Sequence, residues 1–274
     1  MRRLRPRARP GRSAVPLCPG CAASLTRPPR VRPPDPVPPG LPPPWSAGPY
    51  AGPLRRLLLA YKERSRTGLA APLAACLADV IAAALAAAPG SAVRPGSAVR
   101  PGPAFASARA GPRGSVAVVP VPSGRGARWR RGHDPVGRLA ILAARELRRR
   151  GVPARPVRLL AQGRRVADQA GLTAAERAAN LSGAFRVRRA RARGPGGLWE
   201  PSRGLPGRLR GRWGAGDGGG GQGASGGGRE AVLVDDIVTT GATLAEAARA
   251  LRADGWNVRF SAVLAATRRH YDFS

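Results

Sequence analysis

Residues 232–244 read VLVDDIVTTGATL. An apolar run ends in two adjacent carboxylates, Asp235 and Asp236, and is followed by a hydroxyl-rich turn with one glycine. The run predicts a strand over 231–237. The alanine- and leucine-rich continuation predicts a helix over roughly 243–254, stopped by Gly255. The first N–H groups of such a helix have no partner within it, and its dipole favours an anion at the same end. Thr239, Thr240, Gly241, Ala242 and Thr243 therefore form a turn suited to one phosphate. Asp235 and Asp236 would repel that phosphate; they suit sugar hydroxyls or a divalent cation. Phosphate on one side and hydroxyls on the other describe a ribose 5-phosphate.

The rest of the chain repeats the same rhythm. SVAVVPVP (115–122) predicts a buried strand running into the loop 123–135, and 136–151 predicts an amphipathic helix closed by Gly151. A strand is expected at 154–161, a helix within 168–185 capped by Thr173 and Glu176, and a last strand at 257–266. Alternating strands and helices predict an α/β fold, a mainly parallel twisted sheet flanked by helices. Ligands bind such sheets at the carboxyl ends of strands. Loops 123–135 and 235–243 both leave such ends.

Upstream, 50–62 predicts a short helix ending near Lys62, and 68–88 an alanine-rich helix. The latter is long enough to span a bilayer, but Asp79 interrupts it and its larger apolar residues recur at helical spacing. A soluble helix, with no membrane span, is expected. Residues 1–48 are rich in Pro and Arg without periodicity: a disordered tail or a degenerate zinc-ribbon module. The domain proper is assigned to 49–271, with flexible inserts at 89–114, which carries PGSAVR twice in tandem, and at 189–229.

The formal net charge of the 274-residue chain is +32, and Lys62 is its only lysine; every other basic residue is arginine. This skew reads as codon bias written into permissive surface positions. Weak, nonspecific nucleic-acid binding follows from the charge in any case. The N-terminus lacks the apolar core of a signal peptide, and a cytoplasmic protein with reduced thiols is expected.

The segment VLVDDIVTTGATL resembles the phosphoribosyl-pyrophosphate (PRPP) motif of type I phosphoribosyltransferases. That resemblance implies that Asp235 and Asp236 hold the ribose hydroxyls and that Thr239, Thr240, Gly241, Ala242 and Thr243 hold the 5-phosphate. Further segments resemble one branch, the ComF family of competence-type proteins. They are YKERS around Lys62, VVPVP at 118–122, the RWRRGHD loop at 128–134, and DQAGL through NLSGAF at 168–185. The match covers about 50–88, 115–185 and 230–268.

The resemblance implies a transferase acting on PRPP with substrate-bound Mg²⁺, displacing pyrophosphate with a nitrogen acceptor, or a non-catalytic PRPP- or nucleotide-binding accessory of DNA uptake. A glycosyltransferase activity, an association with the DNA-uptake machinery and a homodimer are expectations of the same kind. Arg125, Arg128, Arg130 and Arg131 stand where departing pyrophosphate would be gripped, and a planar guanidinium suits that task. Arg128 and Arg131 are the pair assigned to PRPP. Lys62 joins the two acids as a catalytic candidate. Gln169, Arg177 and Asn180 are the polar candidates of a mobile hood.

Some features carry less. Cys18 and Cys21 have zinc-ligand spacing, but 22–48 hold neither Cys nor His to complete four ligands. Cys76 reads as core. His133 and His270 are the only histidines, and only His133 lies near the proposed site, as a weak base candidate. No phosphate-loop or dinucleotide fingerprint is present.

Overall fold

The computed structural model describes residues 17–87, 115–123, 134–163, 176, 180–188 and 229–267. Five α-helices and eight strands are named here: α1 (Pro19–Leu25), β1 (Arg30–Val31), β2 (Pro44–Pro49), α2 (Gly52–Lys62), α3 (Ala70–Ala87), β3 (Val116–Pro120), α4 (Pro135–Arg149), β4 (Ala154–Pro156), β5 (Leu160–Gln162), β6 (Phe185–Val187), β7 (Arg229–Val238), α5 (Ala242–Ala253) and β8 (Trp256–Ala266). A 3₁₀ turn, Thr67–Leu69, leads into α3.

Six strands form one sheet in the order β1-β2-β8-β7-β3-β4. Only β1 pairs antiparallel; the other four pairings are parallel. β5 and β6 form a separate antiparallel pair. The fold is thus α/β, with a mostly parallel sheet flanked by helices.

Alternation along β7 and β3 divides the core. Val232, Val234, Val116 and Val118 pack with α2, α3 and α4 on one face. Ala231, Leu233, Ala117 and Val119 pack with α5 and the β5–β6 pair on the other. Strand residues point alternately to the two faces, so one run of apolar residues serves both layers.

The connections fix where a ligand could sit. From β3 the chain moves outward through α4 to β4; from β7 it moves the opposite way through α5 to β8. Strand order therefore reverses between β3 and β7, which is where open parallel sheets form a crevice. Pro120 stands beside Val234 in register, and the Val121 N–H donates to Val234 O at 2.9 Å. The loop after β3 thus starts next to Asp235.

Several expectations are corrected. Residues 17–48 are not a structureless tail: they carry α1, β1 and most of β2, and the boundary at 48 falls inside β2, which pairs with β8. The single strand expected at 154–161 is two, β4 in the main sheet and β5 in the small one. The second insert ends one residue early, because Arg229 already pairs with Trp256. The insert at 89–114 and the body of that at 189–229 lie outside the described residues.

The apolar helix keeps its expected place. Thr67–Ala87 is long and apolar enough to cross a membrane. Here Leu73, Leu77, Val80 and Ile81 are fully buried in the core that α3 shares with α4 and the sheet. Asp79 forms an ion pair with Arg150, just beyond α4.

Candidate functional site

Two elements deliver the central charges. β7 carries Asp235 and Asp236 to the carboxyl edge of the sheet. α2 crosses that same edge. It begins just beyond the end of β2, where the Tyr50 N–H donates to Ala266 O, and its last two residues reach Pro135 and Asp236. Tyr61 is fully buried and its hydroxyl donates to Pro135 O at 2.9 Å, pinning α2 to the start of α4. Burial pushes the Tyr61 phenol well above its ordinary range. One residue on, Lys62 Nζ lies 2.5 Å from Asp236 Oδ2.

The two acids are therefore not equivalent. Asp236 is buried; its Oδ1 accepts the Ile237 N–H at 3.0 Å and its Oδ2 faces Lys62. Asp235 keeps some contact with solvent, and its Oδ1 accepts the Asp236 N–H at 2.8 Å. Enough protein surrounds it that burial, followed by the charge and hydrogen bond of Asp236, pushes its carboxyl well above the usual range. Lys62 and the Asp236 N–H oppose that shift.

The turn after β7 is half covered. Thr239 is exposed, Thr240 and Thr243 are half-buried, and Gly241 and Ala242 are buried. Gly241 precedes α5 with φ +74, a conformation L side chains rarely adopt. A Cβ there would stand 2.9 Å from Leu41 Cδ2, 3.1 Å from Pro34 Cγ and 3.2 Å from Pro38 Cγ. The close approach that requires glycine is thus to a strap formed by residues 32–43. The strap is tied down beyond the turn: Arg252 donates to Gly40 O at 2.6 Å, and the Ser261 N–H to Pro43 O at 3.0 Å. The strap covers Gly241 and leaves the threonines partly accessible, so the turn stays open on one side.

Asp134 is a residue that sequence reasoning placed only within a loop. Its side chain accepts the Gly137 N–H at 3.0 Å, capping α4, and pairs with Arg158 Nη2 at 2.5 Å. The signal was present: Asp followed by Pro is a common helix start. Tyr61 carried no such signal.

Among the sequence candidates, Lys62, Asp235, Asp236 and the 239–243 turn come together at one edge. Asn180 lies in a short helical turn before β6. Arg125, Arg128, Arg130, Arg131, His133, Gln169, Thr173, Arg177 and His270 lie outside the described residues. Cys76 is core as expected, its thiol pushed up to about 12 by burial. Among the described residues, no three His, Cys, Asp or Glu side chains gather to hold a metal. No family model matches this sequence, and no curated protein matches it.

Proposed function

We propose that the chain is a type I phosphoribosyltransferase-like protein of the ComF kind, which binds PRPP with its Mg²⁺ and transfers the phosphoribosyl group to a nitrogen acceptor. One observation carries most of the weight. The only lysine in the sequence is held 2.5 Å from the second acid of the motif, at the edge where that motif's phosphate turn lies. A surface lysine surviving by chance has no reason to be there.

The geometry supports one set of roles. Asp235, with its solvent contact, meets the ribose hydroxyls; Asp236 is the buried anchor that holds Lys62. The threonine hydroxyls and the N–H groups of 239–243 take the 5-phosphate. Among the described residues no third ligand joins the two carboxylates, and such a pair suits a cation arriving on pyrophosphate. In the reaction, the nitrogen lone pair forms the bond to C1 as the C1–O bond to pyrophosphate breaks, and the electron pair leaves on pyrophosphate. The protein's part is to orient the sugar and to balance the charge that develops on ribose and leaving group.

A protein that only senses PRPP shares every binding feature. Titration of PRPP and Mg²⁺ followed by a panel of bases and amines tests both points. The melting temperature rises with ligand under either reading, and pyrophosphate release on adding an acceptor marks the transferase. Asp235→Asn abolishes the thermal response. An unchanged response would remove the acids from the site and the proposal with it.

A further inference from the structure

We infer that Cys18 and Cys21 form a redox-active dithiol, which exchanges with small disulfides and closes to an intramolecular disulfide. The inference is independent of the phosphoribosyl reading, since the pair lies on α1.

The sequence Cys-Pro-Gly-Cys wraps the pair around a single turn. Cys18 O accepts the Ala22 N–H at 3.0 Å, so the chain is already turning at Cys18. Side chains three apart on such a turn have Cβ atoms about 5–6 Å apart. A disulfide needs about 3.5–4.5 Å. The difference is within reach of Cys18, whose backbone is extended (φ −63, ψ 155) and lies just outside the regular helix.

The partners differ as an attacking and a resolving thiol should. Cys18 is exposed, Cys21 half-buried. Hydrogen bonds from the Cys21 N–H and thiol and from the Gly20 N–H, with the Arg56 charge, bring the Cys18 thiol below its ordinary range. The bond to Cys18, with burial, raises Cys21. The far end of the helix is anchored: Ser24 and Leu25 are buried, and Ser24 Oγ donates to Cys21 O at 2.7 Å. Closure thus moves the exposed end against a fixed one.

The competing use of this spacing is a metal, and no other Cys, His or acid among the described residues joins the pair to make three. Cys76 is buried in the core and is a spectator.

With glutathione disulfide as oxidant the chemistry balances. The Cys18 thiolate attacks one sulfur and releases one glutathione thiolate, leaving a mixed disulfide. Cys21 gives its proton to solvent and attacks Cys18 Sγ, releasing the second glutathione. Two electrons pass from the dithiol to the external disulfide, and the new bond is Sγ–Sγ.

The test equilibrates the full reduced chain in glutathione buffers of varied redox ratio, quenches with acid, alkylates free thiols and reads the mass. Cys18 and Cys21 should vanish together in one two-electron step, with Cys76 alkylated only after unfolding. Cys21→Ser should accumulate glutathione on Cys18, whereas Cys18→Ser should take up far less on Cys21. A wild-type chain that stays reduced across the series, that stops at the mixed disulfide, or whose two thiols are protected by stoichiometric zinc would overturn the inference.

Discussion

Replacing Gly241 by alanine tests the strap and the shape of the turn at once. Two costs are separable. A non-glycine residue at φ +74 costs about 1–2 kcal/mol. The new methyl would also meet Leu41 Cδ2 at 2.9 Å and two proline rings at 3.1 and 3.2 Å. Carbon atoms prefer roughly 3.5–4.0 Å. Leu41 can change rotamer, but the rings of Pro34 and Pro38 cannot, so the strap must lift. Overpacking of this kind costs about 1–3 kcal/mol. Gly255 supplies the control. It has φ +79, and a methyl there would find nothing within 4 Å, so Gly255→Ala bears the backbone cost alone. Urea unfolding of both variants should show Gly241→Ala losing about 1–3 kcal/mol more than Gly255→Ala. In a Leu41→Ala background that excess should shrink, because the tightest contact is gone. Equal losses in the two glycine variants would mean that the strap does not rest on the turn.

Other outcomes follow from the same structure. Lys62→Met leaves the Asp236 charge buried without its partner and should cost about 3 kcal/mol, the low end for a buried pair because Lys62 is 23% exposed; adding Asp236→Asn should recover most of that loss in a denaturation cycle. Asp235 binds its proton more tightly in the fold than in the unfolded chain, so its contribution to stability is greatest below pH 3.8 and falls as pH rises toward its folded value. Asp235→Asn should remove that fall, read as a flatter profile of melting temperature against pH. Asp134→Ala removes the cap of α4 and one ion-pair partner of Arg158, and should cost about 1–2 kcal/mol in thermal unfolding.

Much of the central sheet was legible. The valine and alanine runs of β3, β7 and β8 can hardly do anything but pack between layers, and the helices after β3 and β7 end at Arg149 and Ala253, two residues before the glycines expected to stop them. β2 was illegible for a physical reason. Pro-Trp-Ser-Ala-Gly-Pro has no β-branched residue, and proline at each end cannot donate to a ladder. It is a strand because β8 offers a free edge at the right register, a tertiary fact that propensity does not encode. β6 was lost in the same way, as three residues among arginines that depend on β5 for pairing. In the site, the acids and the turn were readable as a local string. The strap was not, since its prolines read locally as disorder.

The electrostatics of the doublet bear on why adjacent acids are tolerated here. Two carboxylates this close would repel if both were ionised in a buried strand. The chain eases that conflict without removing either acid: Lys62 pairs with Asp236, and the Asp235 carboxyl is pushed up, toward its neutral form. The pairing of Asp236 with Lys62 and the upward shift of Asp235 both reduce the charge conflict at this packed sheet edge. A neutral Asp235 is also able to donate a hydrogen bond as well as accept one, so it can meet a sugar hydroxyl in either sense. Ribose hydroxyls that donate to the carboxylate would favour its ionised form, and binding would release a proton. Affinity for PRPP with Mg²⁺ should therefore rise with pH until Asp235 ionises in the free protein, then level off. Calorimetric titration in two buffers of different ionisation enthalpy should detect the released proton. A pH-independent affinity with no proton release would show that Asp235 is not the group answering the ligand.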